Sequence, residues 1–150
     1  MIQEYETSTT IDAPPDLVWQ ALTDAASYGD WNSEIVGIDG TLAPAARVRA
    51  RVKLGSGAVR KVPQRVVVFD PPRMMVWQGG LWFGLFVGRR TFTVVRHGDR
   101  AEFTMHLRMS GPLASMILKS VGDRQPEIDQ FSRGLKARAE ALRDRRASDR

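Results

Sequence analysis

The stretch IDAPPDLVWQALTDAASYGDWN, residues 11–32, decides how the first part of the chain folds. The two prolines at 14–15 suit the first turn of a helix, where no amide hydrogen is needed. Apolar residues then recur at helical spacing over 17–22. Asp24 suits the N-cap of a second helix, and Gly29 suits its end. The stretch therefore predicts two short helices in succession.

Alternating residues on both sides of this stretch predict a sheet. Residues 2–13 alternate well enough for one strand, and ARVRARVKL at 46–54 alternates strictly between apolar and basic side chains. Further strand-like runs are separated by the short turns GSG at 55–57, DPPR at 70–73 and HGD at 97–99. These connections are too short for crossover helices, so we expect an antiparallel sheet of six to seven strands.

The chain ends in a predicted long helix. From Pro126 to Leu142, apolar residues recur every three or four positions, and the residues between them are charged. Because Pro126 suits a helix start, residues 112–123 are predicted to form a separate helical segment. Residues 143–150 have nothing to bury, so we expect a frayed basic tail after a single domain over 1–142.

Composition excludes several classes of protein. The 150 residues are 43% hydrophobic and include no cysteine, which excludes a disulfide framework and a thiolate zinc site. With two histidines in the chain, we expect no metal and no cofactor. The N-terminus lacks the basic and apolar regions of a signal peptide, so we expect a cytoplasmic protein. The apolar segment at 73–90 is interrupted by Gln78 and by glycines and falls short of the roughly 20 apolar residues that span a bilayer.

The order of these elements resembles the helix-grip fold of the START-like (SRPBCC) superfamily, and in particular its polyketide cyclase/dehydrase and lipid-transport branch. The matching stretches are residues 11–32, DPPRMMVWQGG at 70–80, FTVVRHGDRAEFTM at 92–105 and FSRGLKARAEAL at 131–142. The resemblance implies an α+β fold in which a curved antiparallel sheet wraps around a long C-terminal helix, with two short helices after the first strand. It also implies a deep apolar cavity between sheet and helix. The superfamily includes binders, cyclases and chaperone regulators, so the resemblance is more specific for fold than for function.

Strand alternation indicates which side chains face this cavity. The inward set is rich in aromatic residues and methionines, which form an adaptable apolar wall for ligands of irregular shape. The candidate ligand-binding residues are Met75, Trp77, Trp82, Phe83, Phe86, Phe92, Phe103, Met105, Leu107, Met109, Met116, Phe131 and Leu135. We therefore predict binding of a hydrophobic small molecule or lipid. A filled core made of the same residues is the alternative.

The hairpin over residues 79–88 combines four glycines with aromatic residues at positions where a hairpin tip is normally polar. Exposed aromatic side chains at a loop tip indicate a lid, a partner or a dimer contact. We predict that this hairpin is a mobile gate, with Trp82 and Phe83 at the mouth of the cavity. A homodimer interface and simple packing on a helix end are the alternatives.

A cyclase or dehydratase acting on a polyketide-like substrate in the same cavity is a second candidate function. Such chemistry needs ionisable side chains that face the substrate. The predicted inward polar residues are uncharged: Tyr5, Thr7, Thr9, Gln64 and Gln78. His106 and Arg108 would face inward only if the phase of the last strand were reversed. We therefore predict no catalytic residue.

Charge is distributed unevenly along the chain. Residues 1–46 contain eight acidic and no basic residues, whereas 47–150 contain 22 basic and nine acidic residues. Two neighbouring strands carry a basic ladder, formed by Arg47, Arg49, Arg51, Lys53, Arg60, Lys61 and Arg65. Such a ladder either keeps the strands soluble or binds an anionic partner. No aromatic residues interleave with it and no nucleic-acid motif is present, so nucleic acid is not an expected partner.

Overall fold

The computed structural model describes residues 2–149, apart from the side chain of Trp82. The strands are β1 (Ile2–Ile11), β2 (Ile35–Asp39), β3 (Arg47–Lys53), β4 (Val59–Asp70), β5 (Met74–Leu81), β6 (Phe86–His97) and β7 (Arg100–Ser110). The helices are α1 (Pro15–Thr23), α2 (Tyr28–Trp31), α3 (Ala114–Val121) and α4 (Gln125–Ser148), and short 3₁₀ turns cover Ala25–Ser27 and Trp82–Gly84. The predicted α+β helix-grip architecture is confirmed.

The seven strands form one antiparallel sheet in the order β1-β7-β6-β5-β4-β3-β2. Strands β2 to β7 follow one another as a meander. Strand β1 instead pairs with β7, from Ile2 opposite Ser110 to Ile11 opposite Ala101. The first and last strands are therefore neighbours, and β1 and β2 form the two edges.

Two irregularities in strand pairing bend the sheet. The register shifts between Val66 and Val68 where β4 pairs with β5, and between Ile35 and Gly37 where β2 pairs with β3. An extra residue on one strand increases the local twist and bends that strand. The sheet therefore curls around α4.

Helix α4 lays its apolar stripe on the inner face of the sheet. Ile128, Phe131, Leu135 and Ala139 follow helical spacing and are fully buried. The helix contacts β1 and β7 on one side and α1 and α2 on the other. No helix within residues 2–149 combines the length and the apolar composition needed to cross a membrane.

The predicted frayed tail is instead helical as far as Ser148. Arg143 lies 2.7 Å from the carboxylate of Asp12, and Arg146 lies 2.9 Å from that of Asp16. These ion pairs join the last turns of α4 to the connection between β1 and α1, through Asp12, and to the first turn of α1, through Asp16. The expectation of fraying considered burial alone and did not take these acidic partners into account.

Gly29 does not end the second short helix. The segment divides into the 3₁₀ turn Ala25–Ser27 and the helix α2, and Gly29 lies inside α2. A Cβ atom at Gly29 would lie 2.5 Å from the backbone oxygen of Val36. Glycine is needed here because α2 approaches β2 closely.

Gly134 brings α4 equally close to α2. A Cβ atom at Gly134 would overlap the backbone oxygen of Trp31. The same oxygen accepts a hydrogen bond of 3.0 Å from Gln130 Nε2. The position of α2 on α4 therefore depends on the missing side chain at Gly134.

We expect the substitution Gly134→Ala to lower the free energy of unfolding by about 1–3 kcal/mol, because overpacking outweighs the better helix propensity of alanine. Denaturant unfolding followed by circular dichroism measures the change. Gly55→Ala is the control, since nothing lies within 4 Å of a Cβ atom at that position. Equal stability of the two variants would contradict the close contact.

Candidate functional site

The inner face of the sheet carries most of the side chains predicted to contact a ligand. On this face Met75 pairs across the strands with Phe92, and Phe92 pairs with Met105. The predicted residues that are at most 5% exposed are, on this face, Met75, Trp77, Phe92, Phe103, Met105 and Leu107, and, on α4 opposite it, Phe131 and Leu135. The predicted phase of β5, β6 and β7 is therefore confirmed.

These side chains contact one another in an aromatic cluster. The ring of Phe92 lies 4.8 Å from that of Trp77 and 5.6 Å from that of Phe131. The rings of Phe103 and Phe131 are stacked at 6.1 Å. Side chains thus fill this part of the interior, and contact of these residues with a ligand remains a prediction.

The other predicted residues lie at the rim of the fold. Phe86 and Met109 are half-buried, whereas Phe83 is 98% exposed. Met116 is 59% exposed because α3 turns Ala114 inward, which places Met116 on the opposite face. The expectation that Met116 meets the aromatic cluster is therefore wrong. The side chain of Trp82 lies outside the described residues.

Three charged side chains lie inside the fold, where the sequence predicted almost none. Glu34 precedes β2, Arg90 lies in β6, and Arg124 precedes α4. The two carboxylate oxygens of Glu34 accept hydrogen bonds of 3.0 Å from Arg90 and 2.6 Å from Arg124. The exposed side-chain fractions are 2% for Glu34, 6% for Arg124 and 13% for Arg90. We call these three residues the buried triad.

Strand alternation could have identified one member of the buried triad. The inward positions Phe92 and Val94 place Arg90, two residues earlier, on the same face. Its cross-strand partner is Trp77, which also faces inward. Glu34 and Arg124 lie in connections, where no periodic pattern indicates the direction of a side chain.

The two arginines determine the charge state of Glu34. Burial alone would raise the pKa of this carboxyl group, but the charge of Arg90 and the hydrogen bond and charge of Arg124 outweigh burial. The pKa of Glu34 is therefore below its usual value, and the group is ionised at neutral pH. Burial raises the pKa of Tyr28, whose hydroxyl donates to the backbone oxygen of Leu22.

Several buried N–H groups close to the triad have no hydrogen-bond partner among the described residues. They are Trp31 Nε1, Asn32 Nδ2 and Trp77 Nε1. Both tryptophan rings lie beside Tyr28, at 4.8 and 6.0 Å. The Arg90 guanidinium carbon lies 6.0 Å from the centroid of Phe131. An unpaired buried donor costs about 1–3 kcal/mol, so this part of the interior suits an oxygen acceptor.

The polar side chains predicted to face inward are divided between the two faces. Tyr5 and Thr7 are buried, and Thr7 Oγ1 lies 2.9 Å from Ser132 Oγ on α4. Gln78 faces outward and accepts a hydrogen bond of 2.9 Å from Arg89, because alternation gives the inner position to its neighbour. The prediction for Gln78 is therefore wrong.

The other ionisable residues considered for catalysis lie on the outer face, as the strand phase predicts. The carboxylate of Glu4 is 3.7 Å from His106 Nε2 and 3.8 Å from Arg108 Nε. Thr10 donates to Glu102 at 2.9 Å. Within residues 2–149, no three histidine, aspartate or glutamate side chains are grouped closely enough to hold a metal ion.

We expect Glu34→Gln to lower the free energy of unfolding by about 3–5 kcal/mol at neutral pH, because it leaves the Arg90 guanidinium without a counter-charge and leaves Arg124 with Glu127 alone, at 4.0 Å. The pKa of Glu34 is lower in the folded state than its unfolded value of about 4.3. Its contribution is therefore complete above that pH and is lost as the pH falls through the folded pKa.

Urea unfolding between pH 7 and pH 3 tests this expectation. The difference in free energy of unfolding between the unsubstituted protein and the Glu34→Gln variant should disappear in acid. Glu127→Gln is the matched control, because Glu127 lies 4.0 Å from Arg124 and is 32% exposed. A loss as small as that of Glu127→Gln would show that the buried triad does not stabilise the fold.

Comparison with known proteins agrees with this architecture. A sequence model of the family described as polyketide cyclase/dehydrase and lipid transport matches residues 3–140. No curated protein sequence matches the chain.

Solved structures share the fold over nearly the whole chain. A START superfamily protein from Mycobacterium smegmatis superposes with a TM-score of 0.69 at 16% identity, covering 93% of this chain and 98% of its own. An aromatase/cyclase from Streptomyces sp. superposes with a TM-score of 0.71 at 18% identity, covering 93% and 94%. A protein from Mesorhizobium loti gives a TM-score of 0.69 at 20% identity, covering 93% and 98%.

These identities show a shared fold, and the sequence match over residues 3–140 shows the family. The curled seven-stranded sheet around a long C-terminal helix is the fold that this chain shares with these solved structures. The chain belongs to the polyketide cyclase/dehydrase and lipid transport family.

Proposed function

We propose that the protein binds a hydrophobic small molecule or lipid on the inner face of the sheet, with an oxygen-bearing group of the ligand held by Arg90. The observation that carries this proposal is a guanidinium group among the aromatic side chains of the inner face. Arg90 is 13% exposed, in contrast to the fully covered rings around it.

Arg90 has N–H groups that are free to donate hydrogen bonds to a ligand. Among the described residues it donates from Nη1 alone, to Glu34 at 3.0 Å and weakly to Met105 Sδ at 3.7 Å. A guanidinium group has five N–H donors in a fixed fork. The unpaired indole N–H of Trp77, its cross-strand neighbour, adds another donor. The ligand group should therefore be a carboxylate, a carbonyl or a similar acceptor.

The apolar wall supports a ligand of irregular shape. Met75 and Met105 are buried beside the aromatic cluster, and Met109 is half-buried toward the rim. Methionine side chains rearrange easily because they are unbranched and have three rotatable bonds. A ligand could enter between the cluster and the rim by moving these side chains.

The hairpin over residues 79–88 is the proposed gate. Leu81, Phe83 and Leu85 are all exposed at its tip. Its last residues touch the start of α3, because Leu113 donates to the Leu85 backbone oxygen at 2.9 Å. Movement of the hairpin would therefore move α3, whose Leu118 packs against the core.

Cyclase or dehydratase activity on a polyketide-like substrate is the second candidate, favoured by the same donors. Arg90 and the unpaired indole groups could stabilise an oxyanion that develops during enolisation. However, both oxygens of Glu34 are engaged and its pKa is low. A general base works best with a pKa near the working pH. Binding without turnover is therefore the better-supported function.

We expect the purified protein to carry an apolar ligand that native mass spectrometry and organic extraction detect. We also expect it to bind a fluorescent polyene fatty acid more tightly than the corresponding alcohol, because only the acid pairs with Arg90. Arg90→Lys should weaken binding of the acid by about tenfold, since a charge-assisted hydrogen bond is worth about 1.5–3 kcal/mol.

Arg124→Lys is the matched control, since it alters the pairing of the same carboxylate from the α4 side, and it should change the affinity less than Arg90→Lys does. Equal effects of the two substitutions would argue against Arg90 as the ligand anchor. If no ligand is extracted and the fatty acid does not bind, the proposed function is wrong.

For the gate, we expect Phe83→Ala to weaken fatty-acid binding while leaving the melting temperature unchanged, because the Phe83 side chain is 98% exposed. Fluorescence titration and thermal unfolding measure the two effects. Val59→Ala, at a residue that is 51% exposed on another hairpin, is the control. Unchanged affinity together with conversion of a dimer to a monomer would identify the hairpin tip as an interface.

A further inference from the structure

The basic ladder of β3 and β4 is only partly neutralised. Asp39 pairs with Arg51 at 3.4 Å and with Lys61 at 3.9 Å. Among residues 2–149, no ion pair is formed by Arg47, Arg49 or Arg65.

Arg47 and Arg65 are direct cross-strand partners. Side chains in this relation have Cβ atoms about 4.5–5.5 Å apart, and like charges at that distance destabilise the sheet. Arg49 lies two residues from Arg47 on the same face. Three guanidinium groups therefore gather at one place. The neighbouring carboxylate is Asp39, the cross-strand partner of Arg49, and its ion pairs go to Arg51 and Lys61 instead.

The sheet opens beside these arginines. Pairing of β4 with β5 ends where Arg65 lies opposite Gln78. Pro63 precedes Arg65 on β4 and cannot donate a ladder hydrogen bond. Gly79 and Gly80 on β5 add only backbone, and a Cβ atom at Gly79 would lie 2.5 Å from the backbone oxygen of Pro63. An open cleft of about 700 Å³ lies here, and it is lined by the three arginines, by Asp39, Val48 and Gln64, and by these residues.

A second hollow of about 290 Å³ continues from this cleft, because both share Arg65, Gln78, Gly79 and Gly80. Its remaining walls are apolar apart from the backbone and come from Val67, Leu81, Gly84, Phe86 and Val87. We call the two hollows together the outer groove. One end of the outer groove is cationic and the other is apolar.

We propose that the outer groove is a second ligand site, separate from the inner face, and that it binds an amphiphilic organic phosphate. Arginine forks match phosphate oxygens in pairs, and the negative charge of a phosphate monoester balances three arginines better than a carboxylate does. The apolar end suits an alkyl or similar group attached to the phosphate. The proposal does not depend on ligand binding at Arg90.

The shape and composition of the outer groove favour this ligand over larger anions. Its volume lies in the range of small-molecule pockets, whereas a membrane surface requires no concave site. No aromatic ring lines the cationic end, although stacking on aromatic side chains is typical of single-stranded nucleic-acid sites.

The test is calorimetric titration of the full chain with decyl phosphate below its micelle concentration, with decanol and inorganic pyrophosphate as separate probes. We expect saturable binding of one decyl phosphate in the outer groove. The double variant Arg47→Gln/Arg65→Gln should weaken it by at least about tenfold, because charge-assisted hydrogen bonds are lost. Val67→Ser should weaken binding of decyl phosphate but not of pyrophosphate.

The matched control is Lys53→Gln/Arg60→Gln, which removes two positive charges from the same strands away from the outer groove. It should change the affinity by no more than about twofold if specific contacts dominate over general charge. Arg65→Lys keeps the charge and gives a second, milder loss if the double variant is unstable.

Three results would overturn the proposal. Equal weakening by the two double variants would mean that general positive charge attracts the anion. Loss of binding in Arg90→Lys would place decyl phosphate on the inner face. Binding to phosphatidic acid vesicles without binding of monomeric decyl phosphate would make the outer groove a membrane contact.

Discussion

A single buried carboxylate connects parts of the chain that hydrophobic packing alone would leave free to slide. Glu34 joins the start of β2, the middle of β6 through Arg90, and the start of α4 through Arg124. Asn32 fixes its backbone, because Asn32 Oδ1 accepts hydrogen bonds from the N–H groups of Glu34 and Ile35. The apolar stripe of α4 is attracted to the sheet without a preferred direction, whereas these hydrogen bonds have fixed geometry. The orientation of α4 in the curled sheet therefore depends on Glu34.

Stability alone does not explain why charged groups lie there. Replacing a buried ion pair by apolar residues of similar volume is often neutral or stabilising. Fixing the orientation of α4 is one role for these charges, and the proposed recognition of a ligand would be a second. The partial exposure of Arg90 and the unpaired N–H groups beside it are consistent with recognition of a ligand. Because a ligand would replace ring contacts with other apolar contacts, these polar groups would supply most of the selectivity.

Periodic patterns in the sequence predicted the sheet, its direction and the phase of its inner strands. Alternation correctly placed Trp77, Phe92 and Phe103 inward, since each lies in a regular strand. Features that depend on distant partners were not predictable in this way. The helical end of α4 depends on acidic residues near the start of the chain, and Glu34 meets Arg124 across 90 positions. Local periodicity does not contain this information.

The pairing of β1 with β7 also determines the order in which the protein can fold. Strands β2 to β7 join in sequence through short connections, so each hairpin can form as soon as its second strand is available. Strand β1 is made first, but its partner spans Arg100–Ser110. During synthesis from the N-terminus, the ten residues of β1 cannot pair with β7 until most of the chain has been made. Until then β1 is an unpaired strand that a chaperone or a neighbouring nascent chain can reach.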